Sequence, residues 1–268
     1  MKKTILIVLG LIIIVIAAIL INKPKPAPTE EKTTMTTEEN QPQMQTEDDF
    51  KITPISHATL MLHWEHGNIL TDPVGDVSMY KNLPNAEIIL ITDIHGDHLS
   101  TSTLADLVKE DTTLIVPSAV AELLPESLKT QSKILANGQT ADVNGYKIEA
   151  IPMYNWPLAS DAYHTKGRGN GYIVEHDGKR IYISGDTGAI PEMKALKNID
   201  LAFVCMNLPY TMSVEDAAAA VLEFKPRTVV PYHYRGPNGL SDINKFKTLV
   251  NQGDPNITVE LMNFYPQQ

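Results

Sequence analysis

Thr92-Asp93-Ile94-His95-Gly96-Asp97-His98 is the stretch on which the reading of this chain turns. It carries two aspartates and two histidines, and it directly follows Ile88-Ile89-Leu90-Ile91, an apolar run short enough for one buried strand. Carboxylates and imidazoles crowded at a strand end are costly unless positive charge sits among them, and a divalent metal is the usual occupant. Asp93 and His95 are two apart, so on extended backbone their side chains leave on one face. Asp97 and His98 are adjacent and point differently, as two neighbouring metals would require. The competing reading is a polar loop that holds two histidines by coincidence. Further ligands elsewhere in the chain weigh against it.

Those ligands are Asp186 and His233. Asp186 lies in Tyr182-Ile183-Ser184-Gly185-Asp186-Thr187-Gly188, a strand that ends in a glycine turn. His233 lies in Val229-Val230-Pro231-Tyr232-His233-Tyr234, another strand that ends at a histidine. Either alone is weak evidence, since a lone Gly-Asp is usually a turn and a lone His beside Tyr is usually packed. In this order, and together with the first motif, they resemble the metallo-β-lactamase superfamily over residues 50–265. That family carries His-x-His-x-Asp-His, then a third His, a Gly-Asp and a final His, each at a strand end. The resemblance implies an α/β fold, a four-layer αββα sandwich.

Two departures from the pattern matter. The family's first histidine is Asp93 here. Its third should follow the strand around residues 147–153, where this chain reads Tyr154-Asn155-Trp156. His164 comes shortly afterwards, on a loop that can return it to the metal. It is favoured over Asn155 because a neutral imidazole is a better transition-metal ligand than an amide oxygen; Asn155, or an exposed loop role for His164, stands as the alternative. The expected site is therefore Asp93, His95 and His164 on one metal, Asp97, His98 and His233 on the other, and Asp186 bridging them. Asp93, Asp97 and Asp186 set three negative charges against four positive ones, where the usual family motif sets two. The extra carboxylate should lower the Lewis acidity of the first metal and harden the site. Two divalent ions are expected, zinc first, with manganese or iron as rivals.

Outside the domain, Met1-Lys2-Lys3 is followed by an apolar run from Ile5 to Ile21 broken only by Gly10. Residues 1–22 read as a transmembrane anchor, with a cleaved signal as the alternative, since no small-x-small cleavage site stands out. Residues 23–49 are rich in Pro, Thr, Glu and Gln and read as a disordered linker. The domain, residues 50–268, is expected outside the cytoplasmic membrane, held there by the anchor or secreted if the segment is cleaved.

The chain of 268 residues has 22 basic and 32 acidic side chains. Removing the five lysines and four glutamates of residues 1–46 leaves 17 basic and 28 acidic, a formal charge of −11. Nucleic acid is therefore excluded as an expected partner, because phosphate binding needs a basic face. Cys205 is the single cysteine, in an apolar strand pattern with no histidine near it in sequence, so it reads as core rather than nucleophile.

Along the domain, residues 52–64 and 69–70 read as a hairpin that turns at His66-Gly67-Asn68 and ends at Asp72-Pro73. Asp72 is a candidate to support a ligand, or a turn aspartate. His57 matches a family position below the metals; satisfying backbone groups is the favoured role for it, orienting a carboxylate the other. His63, His66 and His176 read as surface residues. Helices are expected over residues 100–110, 118–124, 213–224 and 243–250, the first capped by Ser100 or Thr101 and the third by Ser213. Strands are expected over residues 114–116, 145–152, 171–175, 180–184 and 228–231. Gly167-Arg168-Gly169-Asn170-Gly171 lacks the features of a phosphate loop. It reads as a hairpin turn, with presentation of Arg168 or Lys166 to an anionic substrate as the alternative.

The chemistry implied is hydrolysis by a metal-bound hydroxide, with Asp97 as second-metal ligand and orienter of the water. Ser184 to Gly188, Met206-Asn207, Tyr210-Thr211-Met212 and Pro231 to Tyr234 resemble the subgroup holding ascorbate-6-phosphate lactonase-like proteins and N-acyl phosphatidylethanolamine phospholipase D. Ester, lactone or phosphodiester bonds in a small molecule or lipid are the expected targets. The rival expectation is a non-catalytic, membrane-tethered metal-binding or interaction domain, motivated by Asp93 and Asn155.

Overall fold

The structure is a computed structural model that describes residues 50–266. The anchor and linker expected over residues 1–22 and 23–49 lie outside the described residues. Among the described residues no helix is long and apolar enough to cross a membrane.

Two sheets carry the domain. The first has six strands in chain order: β1 (Lys51–Ser56), β2 (Thr59–Trp64), β3 (Gly67–Thr71), β4 (Ile88–Leu90), β5 (Thr113–Val116) and β6 (Ser132–Ile134). The second has seven: β7 (Thr140–Val143), β8 (Tyr146–Met153), β9 (Gly169–His176), β10 (Lys179–Ile183), β11 (Leu201–Cys205), β12 (Thr228–Tyr232) and, at its far edge, β15 (Thr258–Val259). β13 (Arg235–Gly236) and β14 (Gly239–Leu240) form a small separate ribbon. Both sheets start as antiparallel meanders and continue with parallel pairs, β3 to β6 in the first and β10 to β15 in the second.

Alternation along the strands explains the layering, because successive side chains point to opposite faces. In β2, Leu60, Leu62 and Trp64 enter the core shared with the second sheet, while Met61 enters a separate outer core. β4 and β5 repeat this: Ile88, Leu90 and Ile115 face in, and Ile89, Leu114 and Val116 face out. The outer core is closed by α1 (Thr101–Leu107), α2 (Ser118–Leu123) and α3 (Glu126–Lys129), through Leu104, Val120, Ala121 and Leu128. The second sheet is covered by α4 (Pro191–Lys194), α5 (Val214–Phe224) and α6 (Ile243–Gly253), through Met193, Val221, Phe224, Phe246 and Val250. Helices, sheet, sheet, helices is the four-layer αββα arrangement.

The expected helix caps form. Ser100 Oγ accepts from the Thr103 amide at 3.3 Å, and Ser213 Oγ accepts from the Asp216 amide at 3.0 Å. The long strand expected over residues 52–64 does not. It breaks at His57, whose φ of +54° is left-handed, and the register slips between Pro54 and Ser56. The first hairpin therefore turns at His57-Ala58, and a second one turns at residues 65–66.

Candidate metal centre

Every expected ligand lies beyond the C-terminal end of a strand, which is where open α/β sheets place their sites. The turn after β4 delivers Asp93, His95, Asp97 and His98, with the His98 and Leu99 amides both donating to the His95 carbonyl, at 2.9 and 2.8 Å. The turn after β10 delivers Asp186. Its Gly185 has φ +59°, and a Cβ there would meet Met153 Sδ at 2.5 Å, so the site packs on a glycine. His233 directly follows β12, and Asp72 directly follows β3. His57, Asp72 and His233 all have positive φ (54°, 46° and 46°), a conformation non-glycine residues hold only where the surroundings impose it.

The seven expected residues come together in two groups joined by one carboxylate. Asp97, His98, Asp186 and His233 form one group, and Asp93, His95 and His164 the other, with the ligand atoms within each group no more than 4.8 Å apart. Asp186 spans them. Its Oδ1 lies 3.1 Å from His233 Nε2, and its Oδ2 lies 3.3 Å from His98 Nε2 and 3.2 Å from His164 Nε2. Asp97 Oδ2 lies 3.4 Å from His233 Nε2, and Asp93 Oδ2 lies 2.9 Å from His95 Nδ1 and 3.8 Å from His164 Nε2.

The donor chemistry fits metal ions. His98 Nδ1 lies 2.8 Å from Asp72 Oδ2, so in the neutral ring Nδ1 carries the proton and donates it, which puts the lone pair on Nε2. That lone pair faces His233 Nε2 at 3.0 Å and the Asp186 carboxylate. Both nitrogens of His164 and Oδ1 of Asp186 are buried without a hydrogen-bond partner. Buried polar atoms left without a partner are costly, and an ion among them would satisfy them. The electrostatics agree. Burial alone would push His98 down, but without an ion the Asp186 and Asp72 carboxylates outweigh it and hold His98 well above the usual imidazole range, so a proton sits on Nε2 until an ion displaces it. Burial opposes ionisation of Asp186, yet His233, His98 and His164 hold it well below the usual carboxylate range. Asp97 is lowered in the same way against burial, by hydrogen bonds from His233 and His57.

The supporting residues sharpen the expectations. Asp72 is no mere turn residue: fully buried, it accepts from the Thr92 amide at 2.7 Å, the Thr92 hydroxyl at 2.6 Å and His98. His57 does more than satisfy backbone. Its Nε2 lies 3.2 Å from Asp97 Oδ2 and its Nδ1 2.6 Å from the Tyr265 hydroxyl, so it orients the carboxylate. Asn155 is kept from the cluster by its own hydrogen bonds, accepting from the His164 amide at 2.8 Å and donating to the Tyr210 carbonyl at 2.7 Å. It clamps the loop that brings His164 in. Arg168 and Lys166 are not offered to a substrate. Arg168 is paired with Asp93, and Lys166 Nζ lies 2.6 Å from Glu192 Oε1. His176 stacks on Tyr146 at 3.9 Å between centroids and is only partly exposed. Sequence reasoning missed Thr92, Asn207 as the partner of His233 Nδ1 at 3.0 Å, and Tyr265. The centre opens into a cavity of about 350 Å³ lined by His95, Asp97, Tyr163, His164, Asp186, Asn207 and Tyr210.

Comparison with known proteins agrees with this geometry. Residues 51–233 match the beta-lactamase superfamily domain. The chain belongs to the metallo-β-lactamase superfamily, among its metal-dependent hydrolases. A UPF0173 metal-dependent hydrolase of Pyrococcus abyssi is 32% identical over 211 residues, which cover 75% of this chain and 92% of that protein. The crystal structure of an inferred metal-dependent hydrolase of Parabacteroides distasonis superposes with a TM-score of 0.70 at 41% identity, covering 79% of this chain and 92% of the other. The metallo hydrolase Igni18 of Ignicoccus hospitalis has a TM-score of 0.67 at 23% identity, with 80% and 95% covered, and speaks for the fold alone.

Proposed function

We propose that the centre holds two divalent ions and hydrolyses an ester, lactone or phosphodiester bond in a small molecule or lipid. The observation that carries this is Asp186, whose two oxygens face His233 on one side and His98 and His164 on the other, 3.1 to 3.3 Å away. Asp93, His95 and His164 would hold one ion and Asp97, His98 and His233 the other, with Asp186 shared. Imidazole ligands make zinc the first choice, and three carboxylates keep manganese and iron as rivals. The chemistry supplied on binding is acidification of a water and polarisation of the scissile oxygen.

The protein's own part is to position. Asp97 is partly exposed to the cavity and ionised, and His57 fixes its Oδ2, so it can accept a hydrogen bond from the attacking water and set its direction. Asp72 keeps the His98 proton on Nδ1. Tyr163 and Tyr210, whose rings meet edge to face at 5.0 Å, wall the cavity and suit a substrate with apolar or ring surface beside the cleaved bond. The Met206-Asn207 and Tyr210-Thr211-Met212 segments support a place near the lactonase-like and phospholipase D-like subgroup. The apolar run of residues 5–21 supports a domain tethered outside the cytoplasmic membrane, or secreted after cleavage.

Elemental analysis of the purified protein, followed by ester, lactone and phosphodiester panels with each metal added back, tests the reading. His95→Ala and His233→Ala should each lose about one metal equivalent and most turnover. Unchanged metal content in both variants would refute the ligand assignment. For the location, protease added outside intact cells or spheroplasts should shave the domain from the membrane; protection until lysis would place it inside.

A further inference from the structure

Arg168 is the closest cation to the first ligand group, and nothing in the proposed hydrolysis uses it. Its Nε–H donates to Asp93 Oδ1 at 3.1 Å and its Nη2–H to Oδ2 at 2.9 Å, a two-pronged pair on a carboxylate that is fully buried. The same Nη2 lies 3.4 Å from His95 Nε2, while His95 Nδ1 lies 2.9 Å from Asp93 Oδ2. Both oxygens of Asp93 and both nitrogens of His95 thus have protein partners. Arg168 is also built into place. It directly precedes β9, whose first residue, Gly169, pairs with Met153 of β8. A Cβ on Gly169 would meet the Thr92 carbonyl at 2.7 Å, so the strand that carries Arg168 is packed against the metal-binding turn.

The second group is arranged differently. Its Asp97 and Asp186 carboxylates face only histidines; among the described residues no lysine or arginine contacts either of them. His98 donates its Nδ1–H to Asp72, which turns its Nε2 toward Asp186 and His233. The charges follow. Asp93 is neutralised by Arg168 before any ion arrives, whereas Asp97 and Asp186 have only histidines, whose protons an ion can displace, to balance them. A divalent ion in the first group must also meet a like charge held within hydrogen-bond reach of its own ligand.

We propose that Arg168 makes the two halves of the centre unequal. The group of Asp97, His98, Asp186 and His233 binds its ion tightly, and the group of Asp93, His95 and His164 takes a second ion weakly, in competition with the guanidinium. The extra carboxylate at position 93 therefore does not harden or strengthen the first half, because its charge is already spent on Arg168. The centre passes from one ion to two over a range set by metal supply. This rests on the two-ion reading given above.

The test is equilibrium dialysis of the purified full-length protein, stripped with a chelator, against graded zinc, with bound metal counted by mass spectrometry. The wild type should take one tight equivalent and a second at least about tenfold weaker. Arg168→Met should tighten the second by about tenfold or more, a gain that loss of a merely structural residue would not produce. Arg168→Lys, which keeps the charge without the fork, should leave the second ion weak. In the wild type, the Arg168 Nε–H resonance should stay fixed through the first equivalent and move with the second, which gives a readout if the methionine variant does not fold. Two ions of equal affinity in the wild type, a second site unchanged or weakened in Arg168→Met, or an Arg168 resonance that moves with the first ion would each overturn the proposal while leaving the hydrolytic reading standing. A wild type that binds no metal refutes that reading itself.

Discussion

Asp72→Asn should cost metal affinity while largely sparing the fold, and the structure says why. Asp72 is buried at the end of β3 with three donors around it: the Thr92 amide at 2.7 Å on Oδ1, and the Thr92 hydroxyl at 2.6 Å and His98 Nδ1 at 2.8 Å on Oδ2. Asparagine keeps the shape. Its oxygen must take the Oδ1 place, because the Thr92 amide proton has no tautomer to shift to. The NH₂ then meets the His98 Nδ1–H donor to donor. His98 relieves the clash by moving its proton to Nε2 and accepting at Nδ1. That puts a proton on the atom facing Asp186 at 3.3 Å and His233 at 3.0 Å, where the lone pair is needed. Loss of such a tautomer-setting partner typically costs about 10–100-fold in metal affinity, or about 1.4–2.7 kcal/mol. One strained donor costs about 1–3 kcal/mol of stability, whereas Asp72→Ala strands three donors and costs a multiple of that. Chelator competition gives the affinity, and nitrogen-15 spectra of the metal-free imidazoles, recorded above the His98 titration, give the tautomer. Wild-type affinity in Asp72→Asn, or lost affinity with His98 still protonated on Nδ1, would refute the reasoning.

Three further outcomes are expected. His57→Gln, which removes the link between Asp97 and Tyr265, should lower kcat/KM by about 10–100-fold with metal content unchanged; steady-state kinetics beside elemental analysis would decide it, and loss of an ion would make His57 a ligand support instead. Gly169→Ala sets a methyl 2.7 Å from the Thr92 carbonyl and 3.2 Å from Asp93 Oδ1, which should destabilise by about 1–3 kcal/mol and lower the melting temperature by roughly 2–4 °C per kcal/mol. Cys205 is buried, and burial pushes its thiol up to about 11; at pH 8 it should resist alkylation in the native protein and take one adduct per chain in urea, and rapid native labelling by intact-mass analysis would contradict this.

The part of the site legible in sequence was the part written locally. Asp93, His95, Asp97 and His98 fall within six positions after one apolar run, and strand-end patterns marked Asp186 and His233. Strands of five residues or more with clear apolar runs were equally readable. The support residues were not, because their contacts join distant segments. His57 and Tyr265 meet across 208 positions, and Asn207 reaches His233 across 26. Arg168 was visible as a charge among glycines, but only the register of β9 against β8 brings it to Asp93. The break at His57 escaped notice because an apolar-alternating run gives no sign of one left-handed residue. β6, β7, β15, α3 and α4 have four residues or fewer and, unlike the equally short β4 and β5, no continuous apolar run to mark them.

The left-handed residues connect the fold to the inequality of the two halves. A non-glycine residue in that region costs roughly 1–2 kcal/mol, and His57, Asp72 and His233 all occupy it. Each is held by contacts that do not involve a cation. The His233 amide donates to the His57 carbonyl at 3.2 Å, the His57 amide donates to the Phe264 carbonyl at 3.2 Å, and the Asp72 amide donates to the Leu90 carbonyl at 2.9 Å. Backbone bonds between the first hairpin, the end of β12 and the C-terminal segment thus fix the second ligand group as the domain folds. The first group sits on ordinary turn and loop backbone: His95 is partly exposed and its carbonyl accepts from the His98 and Leu99 amides, and the His164 loop is clamped to Asn155. Its Asp93 is held by the Arg168 pair, which also opposes the ion the group would receive. Preorganisation and charge therefore favour the same half, and the tight binding proposed at Asp97, His98, Asp186 and His233 would owe as much to the backbone as to the ligands.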